Sequence, residues 1–350
     1  MTRVAVRTLT LVIVALMNAG LPAARLQQFA ARQLGDVVQL QDAATHTLVS
    51  IIPSVGNIAF AMNVNGHDVL RWPYSSIDEF KARPSLSGIP LLAPWANRLD
   101  EPAFFANGTR YPFDMTLGNV RGDIPIHGLL QTTNLWKVVD LNADARSAWV
   151  TSRLEFFRHP SLMKQWPFAH TIEMTYRLGG GALEVAVAIT NVGAEPMPVA
   201  IGFHPYFKLT DSVRDDWTIA VGARTRWLLA DNKLPTGGTE PIERLFPNPN
   251  AAPLRALNLD DVFGDLVRDG QDRATMSVIG KTQRLDVTMG PNFKSVVIYS
   301  PAGRDFICFE PMSAVTNALN LTQKGLYKDL QSIPPRGIWR ESFLITPHGF

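Results

Sequence analysis

Thr171-Ile172-Glu173-Met174-Thr175-Tyr176-Arg177-Leu178 runs into Gly179-Gly180-Gly181, and Leu183-Glu184-Val185-Ala186-Val187-Ala188-Ile189-Thr190 follows. On both sides of the glycines, large apolar side chains alternate with small or polar ones. A period of two belongs to a strand with one face buried and the other wet. The three glycines turn the chain between the two runs, so the stretch predicts strand, turn, strand.

The same pattern recurs outward from this stretch. Thr47-Leu48-Val49-Ser50-Ile51-Ile52 meets a turn at Pro53-Ser54-Val55-Gly56-Asn57, and Ile58-Ala59-Phe60-Ala61-Met62-Asn63-Val64 leads to Asn65-Gly66. Asn-Gly beside a β-rich run is a strong hairpin signal, because both central residues of the turn need positive φ. Further strands are predicted at 149–156, 287–289, 295–299 and 343–346. Residues 76–81 suit one short helix, and no long amphipathic helix is present. Residues 223–259, rich in proline and glycine, read as loop. With 25 glycines and 25 prolines in 350 residues, the chain predicts an all-β fold. The simplest architecture is one large antiparallel β-sandwich, a single domain over residues 35–350.

Composition removes several classes of function. The chain is 46% hydrophobic and 18% charged, which is globular, and its net charge of +2 leaves no electrostatic footprint for nucleic acid. The N-terminal Met1-Thr2-Arg3-Val4-Ala5-Val6-Arg7 is basic, and an uncharged run extends to Ala24. Residues 1–24 therefore read as a signal peptide, with cleavage after Ala23 or Ala24 and a periplasmic or secreted product. Asn18, Gly20 and Pro22 interrupt the run and argue against a permanent membrane span. Cys308 is the one cysteine. Internal disulfides and a cysteine-based zinc site are excluded, and the apolar surroundings Phe306-Ile307 and Phe309 predict a buried structural thiol.

Four segments carry chemistry. Asn97-Arg98 offers several hydrogen-bond donors to a polyhydroxylated ligand, although taken alone a capped loop with a surface arginine is the favoured reading. His127 stands in the apolar run Ile126-His127-Gly128-Leu129-Leu130, where a satisfied core histidine is the ordinary reading. His204 lies in Gly202-Phe203-His204-Pro205-Tyr206-Phe207, and the proline confines it to extended backbone. Tyr206 and Phe207 suit a ligand wall or the core. Glu310 precedes Pro311 at the end of an apolar strand, where burial would raise its pKa toward that of a general base. The seven histidines show no metal-ligand spacing, and no nucleotide-binding glycine fingerprint follows a strand. A cofactor-independent reaction or binding alone is left.

Taken together and in order, these segments resemble the aldose 1-epimerase (galactose mutarotase) family. The resemblance runs from Ile51-Ile52-Pro53-Ser54 through Asn97-Arg98, His127-Gly128, His204-Pro205-Tyr206-Phe207 and Leu259-Asp260-Asp261 to Cys308-Phe309-Glu310-Pro311. It implies a large β-sandwich and a sugar substrate whose α and β anomers interconvert by ring opening and reclosure. By that resemblance Glu310 is the general base at the C1 hydroxyl and His204 the general acid at the ring oxygen. His127 assists at the ring oxygen, and Asn97, Arg98 and Asp260 bind sugar hydroxyls, Asp260 being preferred over Asp261. The His-Gly-Leu sequence lacks the second glycine of many relatives, and Ala93-Pro94-Trp95 is similar to an outlying bacterial branch. Relatives that act on hexose 6-phosphates need a basic pocket, for which Arg71 and Lys208 are the cations to locate. The competing readings are a non-catalytic carbohydrate-binding protein and a glycoside hydrolase or lyase on the same scaffold.

Overall fold

The structure is a computed structural model that describes residues 28–117 and 120–350. The expected leader at 1–24 lies outside these residues. Among the described residues no helix is long and apolar enough to cross a membrane.

The opening stretch forms strands His170–Gly179 and Ala182–Asn191, paired antiparallel through the glycine turn, with Gly180 and Gly181 at positive φ. Ile172, Met174, Tyr176 and Leu178 are buried, as are Leu183, Val185, Val187 and Ile189, whereas the alternate residues are half-exposed. Each buried large side chain contributes about 1.5–3 kcal/mol by leaving water. The pair sits in a nine-stranded sheet, beside Ala148–Glu155 on one side and Ile338–His348 on the other.

A seven-stranded sheet covers the buried face. Its order is Pro235–Pro241, Ala223–Leu229, Leu259–Leu266, Ser295–Ser300, Cys308–Met312, Gly202–Phe203 and Leu91–Leu92. The two sheets share one apolar core, in which Phe203 of the second packs edge-on against Phe343 of the first with ring centroids 5.1 Å apart. A five-stranded sheet from Phe29–Leu34 to His67–Asp68 completes the fold, and isolated bridges Ala59–Ile89 and Leu70–Phe207 join it to the second sheet. The Asn65-Gly66 hairpin is present, both residues having positive φ (50° and 87°). Helix Ile77–Ala82 follows Ser76, whose hydroxyl accepts from the Glu79 amide. The molecule is an all-β antiparallel sandwich, as the alternation predicts.

One expectation is corrected. Much of 223–259 is strand, supplying Ala223–Leu229 and Pro235–Pro241 at the margin of the second sheet. Prolines there stand at the ends of an edge strand, where a missing amide donor interrupts no ladder.

Candidate active site

Glu310 and Asp260 reach one face of the second sheet by strand register. Val297 pairs with Glu310, Tyr299 with Cys308, and Asp260 with Tyr299. Side chains alternate across a strand, so Asp260, Tyr299, Cys308 and Glu310 share a face. It is opposite to that of Ile298 and Phe309, which enter the sandwich core. Asp261 is turned away and is taken by Arg226, whose Nε and Nη2 lie 2.9 and 2.7 Å from its Oδ1.

Loops wall the floor in. His204 follows strand Gly202–Phe203 and is held by a hydrogen bond from its amide to the Pro90 carbonyl, 3.1 Å. The Asn97 carbonyl accepts the His127 amide at 2.9 Å, and Arg98 bridges Ile126. Both Asn97 and His127 adopt left-handed backbone, with φ of 57° and 62°. Non-glycine residues rarely adopt it, and such strain gathers where a side chain must be aimed. Gly128 lets the strands close: a Cβ there would lie 2.1 Å from the Ala93 carbonyl oxygen.

The result is a pocket of about 230 Å³ lined by all six sequence-predicted residues, Asn97, Arg98, His127, His204, Asp260 and Glu310. Glu310 is 1% exposed and His204 5%. The Glu310 Oε1 lies 3.2 Å from His204 Nε2. Asn97 Oδ1 accepts from the Arg98 amide and Nη1 (2.9 and 3.0 Å), which aims the guanidinium so that Nη2 meets Asp260 Oδ2 at 3.2 Å. The His127 and His204 rings stand edge to face with centroids 5.5 Å apart. Tyr206 lies parallel to the His204 imidazole at 4.7 Å.

Electrostatics in this pocket are dominated by loss of water. Burial pushes the Glu310 carboxyl well above the usual range; Asp260 adds to the rise, and Arg98 opposes it. Burial, helped by the Arg98 charge and opposed by a backbone hydrogen bond, lowers His204 to about 3. His127 is depressed by burial, then by His204 and the arginines 98 and 121. The His204–Glu310 contact therefore holds one proton between two groups that both resist charging. His127 Nδ1, His204 Nδ1 and Glu310 Oε2 are buried without a hydrogen-bond partner.

Sequence reasoning did not find Arg121 and Tyr299, which also line the pocket. The register with Asp260 reveals Tyr299, but Arg121 sits in a two-residue strand beside a glycine turn and carries no sequence signal. Tyr206 is pocket wall and Phe207 is fully buried core. Arg71 pairs with Asp305 and Lys208 with Asp68, and neither lines the pocket. Cys308 is buried beneath, its thiol pushed up by burial. A larger groove of about 680 Å³ runs past Lys208, Arg214 and Arg304. Its Arg214 is committed to Asp215, Ser300 and the Leu254 and Leu257 carbonyls, and no histidine lines it.

Comparison with known proteins follows the same line. A protein from Escherichia coli K12, the uncharacterized protein YphB, is 26% identical over 228 residues, spanning 63% of this chain and 71% of YphB. Among solved structures, a galactose mutarotase-like protein from Clostridium acetobutylicum superposes with a TM-score of 0.80 at 20% identity, covering 92% of this chain and 98% of its own. The galactose 1-epimerase of Lactobacillus acidophilus superposes with a TM-score of 0.72 at 17% identity and the same coverage. These two likenesses establish the fold. The aldose 1-epimerase family model matches residues 36–336, and with that match the chain belongs to the aldose 1-epimerase family.

Proposed function

We propose that the protein is a mutarotase that interconverts the α and β anomers of a free hexose without a cofactor. The observation that carries this reading is the 3.2 Å contact between His204 Nε2 and Glu310 Oε1 in a pocket walled by Arg98 and Asp260. A hemiacetal carbon bears its hydroxyl and its ring oxygen on one atom. An acid and a base serving both must therefore be near neighbours, as these are.

In the forward step Glu310 first passes its proton to His204 across their 3.2 Å contact, and the resulting carboxylate takes the proton from the C1 hydroxyl. The C1–O5 bond breaks with its electron pair going to O5, which receives the proton from His204. The aldehyde turns about C1–C2 and presents its other face. O5 then attacks C1, returning its proton to His204 as the new C1 oxygen recovers one from Glu310. No net proton is consumed, so a pair holding one proton suffices. The Arg98 charge favours the carboxylate form of Glu310, and His127 orients the ring-oxygen region. Arg98 and Asp260 take hydroxyls, while Asn97 fixes Arg98. Residues 1–24 support export, which places the reaction in the periplasm or outside the cell; the mass of the mature N-terminus tests this.

The decisive experiment is polarimetry on freshly dissolved α-D-glucose and α-D-galactose. Relaxation should be faster with protein and reach the same endpoint, and His204→Asn should lower the rate by about 10²-fold or more. A folded His204→Asn protein as active as the parent would refute the assignment. Sugar binding with no rate effect would leave carbohydrate binding alone.

A further inference from the structure

Glu310 sits in strand Cys308–Met312, whereas Arg98 is carried outside the seven-stranded sheet. The chain that leaves the Glu310 strand ties the two together. Ser313, directly after the strand, donates from its amide and its Oγ to the Ile201 carbonyl, each at 2.9 Å, shortly before His204. Asn317 follows in left-handed backbone, with φ of 64°, and its Oδ1 accepts the Asp100 amide at 3.2 Å. Helix Ala318–Gln323 begins there. Its Asn320 donates from Nδ2 to Asp100 Oδ1 at 2.8 Å and to the Ala103 carbonyl at 3.1 Å. Lys324 completes the grip on Asp100 Oδ2. Ser313, Asn317 and Asn320 are all buried.

Only Leu99 separates Asp100 from Arg98. The opposite side of this segment is held by residues 125–127: the Leu99 amide donates to the Pro125 carbonyl at 3.0 Å, and the Asn97 carbonyl accepts the His127 amide at 2.9 Å. Residues 97–100 are thus gripped between that segment and residues 317–324. Left-handed backbone at a non-glycine residue persists where its surroundings over-determine it. Asn97, His127 and Asn317 are three such residues, joined through Asp100 by one run of hydrogen bonds. Arg98 lies within that run, and a shift of about 1 Å in a group that orients substrate is enough to slow a reaction. We propose that Asn317 and Asn320, acting through Asp100, are positioning residues that set the Arg98 guanidinium against Glu310. The effect on rate rests on the mutarotase reading; the effect on Arg98 does not.

The test reads Arg98 directly. Phenylglyoxal labelling, followed at each arginine by peptide mass spectrometry, is compared in the parent, Asn317→Gly, Asp100→Ala and Asp100→Asn. Glycine keeps the left-handed backbone and drops only the side-chain acceptor, and asparagine at position 100 keeps an oxygen for Asn320. Arg98, its side chain 11% exposed, should label about 3- to 10-fold faster in Asn317→Gly and Asp100→Ala, the worth of one hydrogen bond. In Asp100→Asn it should label at the parental rate. Arg214, held by Ser300 and the Leu254 and Leu257 carbonyls, should label alike in every variant. Polarimetry on α-D-glucose and α-D-galactose should show KM raised by a similar factor in Asn317→Gly and Asp100→Ala, with kcat little changed. Unchanged Arg98 labelling overturns the proposal, as does acceleration at Arg98 and Arg214 together, which marks general loosening. Faster Arg98 labelling with a parental KM also overturns it, since the place of the guanidinium would then not matter to the sugar. If the parent relaxes no sugar faster than buffer does, the mutarotase reading fails. Labelling that accelerates at Arg98 alone and is rescued in Asp100→Asn then upholds the positioning of Arg98 by itself.

Discussion

Replacing Glu310 by glutamine keeps the side chain's length and removes its capacity to accept a proton. The carboxyl is 1% exposed, 3.2 Å from the His204 ring, and its second oxygen has no partner. Loss of a positioned general base lowers a rate by about 10²–10⁴-fold, or about 3–5 kcal/mol of barrier. Stability should barely move. Burial drives both groups toward their neutral forms, so the amide replaces a carboxylic acid and forfeits at most one neutral hydrogen bond, about 1 kcal/mol. For a chain of this size that is about 1–2 °C in Tm. Had the resting pair been imidazolium and carboxylate, Glu310→Gln would strand a buried charge at about 3–5 kcal/mol. Polarimetric relaxation and thermal unfolding by circular dichroism, at one pH, read both quantities. More than about a tenth of parental activity would sink the base assignment. A Tm loss of about 5 °C or more would sink the neutral resting pair.

Three further outcomes follow from the same geometry. The acid limb of kcat/KM should lie near 3, where His204 takes a second proton into the pair, and the alkaline limb well above 4.5, where Glu310 gives up the last one. A pH profile with a limb centred near the ordinary histidine value of about 6.5 would show an independently titrating imidazole instead. Gly128→Ala forces a Cβ to 2.1 Å from the Ala93 oxygen in left-handed backbone, and should cost about 2–5 kcal/mol in urea unfolding; a loss under about 1 kcal/mol would contradict the packing. Asp260→Asn should raise KM with little change in Tm. Asp261→Asn should lower stability by about 1–2 kcal/mol through Arg226 and spare KM; equal KM effects would mean that the strand's two faces are misassigned.

Legibility in the sequence followed the physics of each feature. Alternation on either side of the glycines, at 171–178 and 183–190, exposes the strand period, because one face must be apolar and the other need not be. The strands within 223–259 escaped that reading: they lie at a sheet margin, where Pro235 and Pro241 sit harmlessly and composition imitates a loop. In the site, His204, Glu310 and Asp260 were found as members of ordered motifs. Their meeting was not legible, since it depends on register between strands far apart in the chain. Tyr299 becomes visible once Asp260 is paired with it. Arg121, on a short turn, owes its place to tertiary closure alone. The left-handed backbone at Asn97 and His127 also had no herald, because neither residue demands that conformation.

The pocket's floor is a hydrogen-bonded sheet, and its walls come from the loops and the short strand that carry Asn97, Arg98, Arg121 and His127. His204 and Glu310, at or beside that floor, thus have a frame separate from the segments that carry Asn97, Arg98 and Arg121. On the proposed mutarotase reading, exchanges in those segments would retune which sugar is admitted while the distance between His204 and Glu310 stays fixed.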